Sequence, residues 1–93
     1  MKIEEFKKVL IEEFNEQVFD VYYEIYSSED PDSELLDIME NGSFGRFNTI
    51  KKINEAQSME ELRKLCMDTF KENGYEKYQG ISFYSEVLEK VVV

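Results

Sequence analysis

The chain has 93 residues with 21 acidic and 11 basic side chains, a formal net charge of −10, one cysteine and no histidine. This length suits one domain, and the negative charge argues against direct nucleic-acid binding, because phosphate neutralisation by Lys and Arg supplies most of that affinity. Without histidine, and with Cys66 set at helical spacing among apolar residues, Ser-His and Cys-His catalysis and His-containing zinc sites are excluded.

The first predicted element is a long amphipathic helix over residues 2–27. Its apolar residues follow steps of three and four along one stripe, namely Ile3, Phe6, Leu10, Phe14, Val18, Val21 and Ile25. Phe19, Tyr22 and Tyr26 broaden this stripe at its C-terminal end. The segment VFDVYYEIY, residues 18–26, is also strand-like in composition, so a strand there is the alternative. We favour a helix because the stripe stays in phase through Ile25.

The second predicted helix lies within SSEDPDSELLDIMENG, residues 27–42. Ser28 or Asp30 is expected to cap it, with Pro31 in its first turn and Gly42 in the left-handed conformation after its last turn. A calcium-binding EF-hand loop starting at Asp30 is excluded. Its sixth position, where glycine is required, is Leu35, and its twelfth position is an asparagine instead of the bidentate glutamate.

The rest of the chain predicts further helices. Phe47, Ile50, Ile53 and Ala56 suggest the third. Ser58 with Glu61 forms a capping box that starts the fourth, which runs through Cys66 and Phe70 and ends at Asn73-Gly74. The tail places Ile81, Tyr84, Leu88 and Val91 on one helix face, with Ser82 as its cap and a short strand over 81–84 as the alternative.

We therefore expect a mainly α fold, with residues 1–93 forming a single small domain of four to five helices around a long N-terminal helix. Leu, Ile, Val and Phe make up 27 of the 93 residues, which is above the range of disordered chains. The start MKIEEFKK is unlike a secretory signal, the longest apolar run is VVV, and the lone cysteine rules out an internal disulfide. These features predict a cytoplasmic protein that does not bind membranes.

The charge is concentrated in one segment, residues 9–45, which holds eleven acids and neither Lys nor Arg. We call this segment the acidic block. The residues before it carry a net charge of +1, and residues 46–93 hold eight charges of each sign. Like charges four apart on a helix destabilise it by about 0.2–0.5 kcal/mol per pair, and Glu12, Glu16, Asp20 and Glu24 recur at this spacing. Most such runs are solvated faces, but the absence of any Lys or Arg exceeds what solubility needs.

The functional interpretation is an anionic surface for a basic partner protein, with Tyr23 as an aromatic anchor and Tyr22 and Tyr26 in the core. The predicted partner-binding residues are Glu12, Glu13, Glu16, Asp20, Tyr23, Glu24, Glu29, Asp30, Asp32, Glu34, Asp37 and Glu40. Arg46, between two phenylalanines, is interpreted as a turn residue whose stem covers apolar surface.

In size and charge the chain resembles phage and mobile-element proteins that mimic DNA to block restriction or CRISPR machinery. That resemblance implies a non-enzymatic inhibitor without metal or cofactor, whose partner is a nucleic-acid-binding protein. The alternative is a small helical adaptor or assembly subunit, which could self-associate as a homodimer, with the acids as a solvated face. An immunity- or antitoxin-type inhibitor lies between the two.

Overall fold

A computed structural model describes residues 2–92, which form six α-helices: α1 (Ile3–Gln17), α2 (Asp20–Tyr26), α3 (Ser33–Asn41), α4 (Arg46–Glu55), α5 (Met59–Glu72) and α6 (Lys77–Val92). The mainly α prediction is confirmed. With α1 and α2 counted as one interrupted helix, the described chain has five helices and the predicted long N-terminal element. No strand occurs within these residues. The strand alternatives are therefore wrong, because residues 20–26 form α2 and residues 81–84 lie inside α6.

The N-terminal helix is interrupted at Val18 and Phe19, both of which are buried. The carbonyl of Phe14 accepts hydrogen bonds from the N–H of Val18 at 3.0 Å and of Phe19 at 3.1 Å. The second bond spans five residues, as in a π-type turn. The Phe19 carbonyl then accepts from Tyr22 N–H at 3.1 Å, which starts α2. Both residues of this kink lie in the core, where they join the buried side chains of α1.

The core lies between α1, α4, α5 and α6. Its buried side chains are Phe6, Leu10, Phe14, Val18 and Phe19 from the N-terminal element, Ile53 and Ala56 from α4 and its end, Leu62, Leu65, Cys66 and Phe70 from α5, and Phe83 and Val87 from α6. Phe14 is central to this cluster. Its ring centroid is 4.7 Å from that of Phe83, 6.0 Å from Phe70 and 6.2 Å from Phe19.

The α1 helix is also tied to α4 by a buried lysine. Lys7 is 7% exposed, and its Nζ donates to the carbonyl of Asn54 at 3.1 Å. That carbonyl belongs to the last turn of α4, where a cation interacts favourably with the helix dipole. The positive charge of the buried Lys7 is therefore stabilised by the carbonyl end of α4.

The last two helices form a hairpin whose closest approach is at Gly80. A Cβ atom on Gly80 would lie 2.6 Å from the carbonyl oxygen of Cys66 and 2.8 Å from Cα of Met67. The predicted face of α6 is therefore displaced by this contact. Phe83 and Val87 are buried, whereas the predicted residues Ile81, Tyr84, Leu88 and Val91 are half-buried at the edges of the same face. The predicted cap, Ser82, is also wrong, because α6 begins at Lys77.

We expect Gly80→Ala to lower the free energy of unfolding by up to about 2 kcal/mol. Alanine gains about 1 kcal/mol of helix propensity over glycine, but a methyl group placed against backbone forces a shift that costs about 1–3 kcal/mol. Urea denaturation followed by circular dichroism measures the difference. Ser82→Ala, on an exposed position of the same helix, is the control and should be neutral or slightly stabilising. An equal gain for both variants would contradict the close packing.

The start of α3 differs from the prediction. The N-cap is Asp32, whose Oδ1 accepts from Leu35 N–H at 3.1 Å, so Ser28 and Asp30 are not caps and Pro31 precedes the helix. Asn41 ends α3 as predicted, but Gly42 is extended, with φ −67° and ψ 172°. Its lack of a side chain matters for another reason, since a Cβ there would lie 2.6 Å from the carbonyl oxygen of Ile38.

The predicted boundaries of α5 are confirmed. Ser58 caps it, and its Oγ accepts from Glu61 N–H at 3.1 Å. The reciprocal bond of the capping box is shifted by one residue, because the Glu61 carboxylate accepts from the N–H of Gln57 at 3.0 Å. The helix ends before Gly74, whose φ of 86° is in the left-handed region that favours glycine.

Candidate functional site

The acidic block maps onto α1, α2, the segment 27–32, α3 and the turn that follows it. Ten of the twelve predicted partner-binding residues are exposed to solvent. They are Glu12 and Glu16 on α1, Asp20, Tyr23 and Glu24 on α2, Glu29, Asp30 and Asp32 before α3, and Glu34 and Asp37 on α3. Glu40 on α3 and Glu13 on α1 are half-buried. Helix α2, which carries Asp20 and Glu24, packs against both α1 and α3.

Glu13 differs from the other predicted acids, because its charge is already paired within the described chain. Its side chain is 12% exposed and its Oε1 accepts from Lys90 Nζ at 2.7 Å. Oε2 accepts from Gln17 Nε2 at 3.0 Å. The pKa of Lys90 is raised, first by this hydrogen bond and further by the negative charges of Glu13, Glu16 and Glu86. Lys90 therefore compensates part of the charge on α1.

The remaining acids have no such compensation. Within residues 2–92, Glu13 is the one acid of the block that forms an ion pair. The last turns of α1, α2 and α3 contain no basic residue, whereas those of α4, α5 and α6 hold Lys52, Lys71 and Lys90. A cation in a last turn stabilises a helix by about 0.3–1 kcal/mol. Helices α1, α2 and α3 therefore lack the charge–dipole interaction that stabilises the last turns of α4, α5 and α6.

Two of these acids accept local hydrogen bonds without losing their exposure. Asp32 caps α3, and the Asp37 carboxylate accepts from Asn41 Nδ2 at 3.2 Å. The pKa of Tyr75 is raised by burial of its hydroxyl and, second, by the negative charge of Glu24. Each of these carboxylates still presents a charge to solvent.

A set of aromatic side chains accompanies the acids on α2. Tyr22 is half-buried, and Tyr23 and Tyr26 are 55% and 65% exposed. The core placement predicted for Tyr26 is therefore wrong, because the kink rotates α2 away from the stripe of α1. Phe47, one of the four apolar residues that predict the third helix, is 66% exposed on the first turn of α4. We call Tyr22, Tyr23 and Tyr26 the α2 aromatic face.

Arg46 is a residue that the sequence interpretation placed wrongly. It is the first residue of α4, not a turn residue, and its Nη1 donates to the Tyr23 hydroxyl at 3.3 Å. Position 46 is separated from position 23 by a helix and two connections, so no local sequence pattern predicts the contact. One weaker feature of the sequence points to Arg46 as a residue of interest: it is the first basic residue after the acidic block.

Three further features bear on catalysis and metal binding: a depression on α5, the Cys66 thiol and the arrangement of possible metal ligands. One open depression of about 530 Å³ lies on α5, and the charged side chains that line it, including Glu60, Arg63 and Lys64, are solvent-exposed. Burial raises the pKa of Cys66 to about 12, so its thiol stays protonated at neutral pH and lacks the thiolate that reactive cysteines need. Within the described part of the chain, no three His, Cys, Asp or Glu side chains come together to hold a metal ion.

Two further observations complete the description. Among residues 2–92, no helix has the combination of length and apolar character needed to cross a membrane. Comparison of the chain with protein-family models, with curated proteins and with solved structures found no match.

Proposed function

We propose that this protein is a non-enzymatic binding protein that uses the acidic block to occupy a positively charged site on another protein. The observation that carries the proposal is the uncompensated charge. Of the eleven carboxylates in the block, Glu13 alone forms an ion pair within residues 2–92, and the last turns of α1, α2 and α3 lack a cation. A basic partner would supply both missing contacts.

The physical benefit of this arrangement appears on association. Repulsion between like charges weakens the isolated helices, while a basic surface relieves that repulsion when it docks. Complementary potentials also steer the encounter of the two proteins and raise the association rate by about 10- to 10³-fold at low salt. Affinity that depends on exposed charges falls as salt rises, because the Debye length is about 8 Å at physiological ionic strength.

The partner site that fits best is one that binds nucleic acid. Carboxylates four residues apart on a helix are about 6 Å apart along its axis, whereas each DNA strand carries a charge about every 3.4 Å. One helix is therefore sparser in charge than DNA. Since α2 packs against α3, the acids of α3 add to the charge density of α2. An inhibitor of restriction or CRISPR machinery, as in phages and mobile elements, is the specific form we propose.

An affinity pull-down from a lysate of host cells, eluted with a salt gradient, tests the proposal. We expect nucleic-acid-binding proteins that elute as the salt rises, and the loss of these proteins when Glu16, Asp20 and Glu24 are replaced together by Lys. The matched control replaces Glu60, Glu76 and Glu89 by Lys. These residues are exposed and lie outside the acidic block, and the change in net charge is the same.

The control separates a binding surface from general electrostatics. Retention of partners by the control triple, with their loss from the first triple, supports the acidic block as the contact. If both triples retain the same partners, the acids are a solvated face and the proposal is wrong. Circular dichroism of each variant confirms that the helices remain folded.

The second candidate is a helical adaptor or assembly subunit that binds through apolar contacts. The observation in its favour is that α2 has no buried residue and exposes Tyr23 and Tyr26. Binding of that kind would change little with salt and would survive the charge reversals. The same pull-down therefore distinguishes the two candidates by the salt concentration at which partners elute.

A further inference from the structure

The α2 aromatic face is built as an open platform, not as part of the core. The ring of Tyr22 is nearly parallel to that of Tyr26, with centroids 6.1 Å apart and planes 14° from parallel. Tyr23 meets Tyr22 edge-on at 5.3 Å. Tyr22 is half-buried and covers one side of Tyr26, while 65% of the Tyr26 side chain faces solvent. Contiguous exposed aromatic surface on a small protein marks a place where another molecule binds.

A guanidinium group already contacts this face from within the molecule. Arg46 Nη1 donates to the Tyr23 hydroxyl at 3.3 Å, and in the described part of the chain Arg46 forms no ion pair. The adjacent Phe47 is 66% exposed and adds apolar surface at the same end of α4. Tyr23 therefore has its hydroxyl engaged. The ring of Tyr26 is the aromatic surface that remains open.

The charge around the face decides which occupant it fits. Asp20 lies three residues before Tyr23 and Tyr26 lies three residues after it, so each is a neighbour of Tyr23 on α2. Glu29 and Asp30 follow the helix, both exposed, and the last turn of α2 has no basic residue. An apolar partner would leave these carboxylates desolvated without a counter-charge, which is costly. A positively charged partner would pair with them.

We propose that the α2 aromatic face receives arginine side chains from a basic segment of the partner protein. This inference rests on the proposed function and identifies the chemistry of the contact. A planar guanidinium can stack on the Tyr26 ring and at the same time donate hydrogen bonds to a carboxylate that follows the helix, such as Glu29 or Asp30. A lysine ammonium is more strongly hydrated and cannot stack in this way. Arginine is therefore favoured over lysine at this face.

Titration with two short synthetic peptides tests the inference. One alternates arginine with serine, the other alternates lysine with serine, and binding is measured by calorimetry at low and at physiological salt. We expect the arginine peptide to bind about two- to fivefold more tightly, the ratio that one exposed cation–π contact provides. Tyr26→Ala should remove most of this preference while it leaves the lysine peptide almost unchanged. Tyr78→Ala is the matched control, because Tyr78 is also 65% exposed but lies on α6.

The remaining outcomes overturn the inference. Equal affinity for the two peptides, no binding of either, or an arginine preference that survives Tyr26→Ala would each show that the aromatic face does not select arginine. Concentration-dependent dimerisation that Tyr26→Ala abolishes would identify a second copy of the chain as the occupant instead. Equal affinities that are salt-sensitive and disappear when Glu16, Asp20 and Glu24 become Lys would leave the proposed function standing without this inference.

Discussion

Replacement of Phe14 by alanine is expected to lower the free energy of unfolding by about 3–5 kcal/mol, the cost of removing a large aromatic side chain from a core. Phe14 is fully buried, and its ring meets those of Phe19, Phe70 and Phe83, which come from the kink, α5 and α6. The cavity would therefore lie where three elements join, so no single helix shift could close it. Because domains of this size are stable by only about 5–15 kcal/mol, a large share of stability would be lost.

Chemical denaturation followed by far-UV circular dichroism measures this loss. Phe47→Ala is the matched control, since the same side chain is removed from a position that is 66% exposed, where surface substitutions change stability by about 0.5 kcal/mol or less. A loss below about 1 kcal/mol at Phe14 would mean that the three elements do not pack around it as described.

The features that the sequence predicts correctly are those set by local spacing. Phe6, Leu10, Phe14 and Val18 recur at steps of three and four, and all four are buried, because a helix brings such residues to one face wherever it packs. The start of α5 at Ser58 follows from a hydrogen bond between residues three apart. Such contacts involve few residues, so their pattern is visible in a short stretch of sequence.

The errors arise where a distant segment decides the local structure. In α6 the sequence pattern predicts a face centred on residues that are half-buried, but contact between Gly80 and the backbone of α5 turns Phe83 and Val87 inward. The kink at Val18 and Phe19 likewise follows from what the core accepts, because both residues are buried in it. The local sequence of α6 or of the kink carries no information about the distant residues against which each segment packs.

The candidate site shows the same division. The exposure of most acids could be predicted, because they lie off the apolar stripe of their helices. The internal use of Glu13 could not, since its partner Lys90 is 77 residues away in the chain. The exposure of Tyr26 also depends on the kink, which changes the phase between α1 and α2. The sequence therefore predicts which residues belong to the acidic block, whereas the fold is needed to tell which of them are exposed and which are paired within the molecule.

Glu24→Lys is expected to stabilise the isolated protein and to weaken its binding to a basic partner. Glu24 lies in the last turn of α2, which has no basic residue, and four residues after Asp20. Lysine there would replace a like-charge pair with an attractive one and would place a cation at the negative end of the helix. Together these changes should raise the free energy of unfolding by about 0.5–1.5 kcal/mol.

The opposite signs of the two effects are what make this variant informative. If binding fell because the fold was damaged, stability would fall with it, whereas loss of a contact surface allows stability to rise. Denaturation curves and the salt concentration at which partners elute from the immobilised variant give the two measurements. Glu89→Lys, an exposed change of equal charge in the last turn of α6, should leave partner elution unchanged. A Glu24→Lys protein that is more stable and still releases its partners at the unaltered salt concentration would mean that Glu24 lies outside the contact.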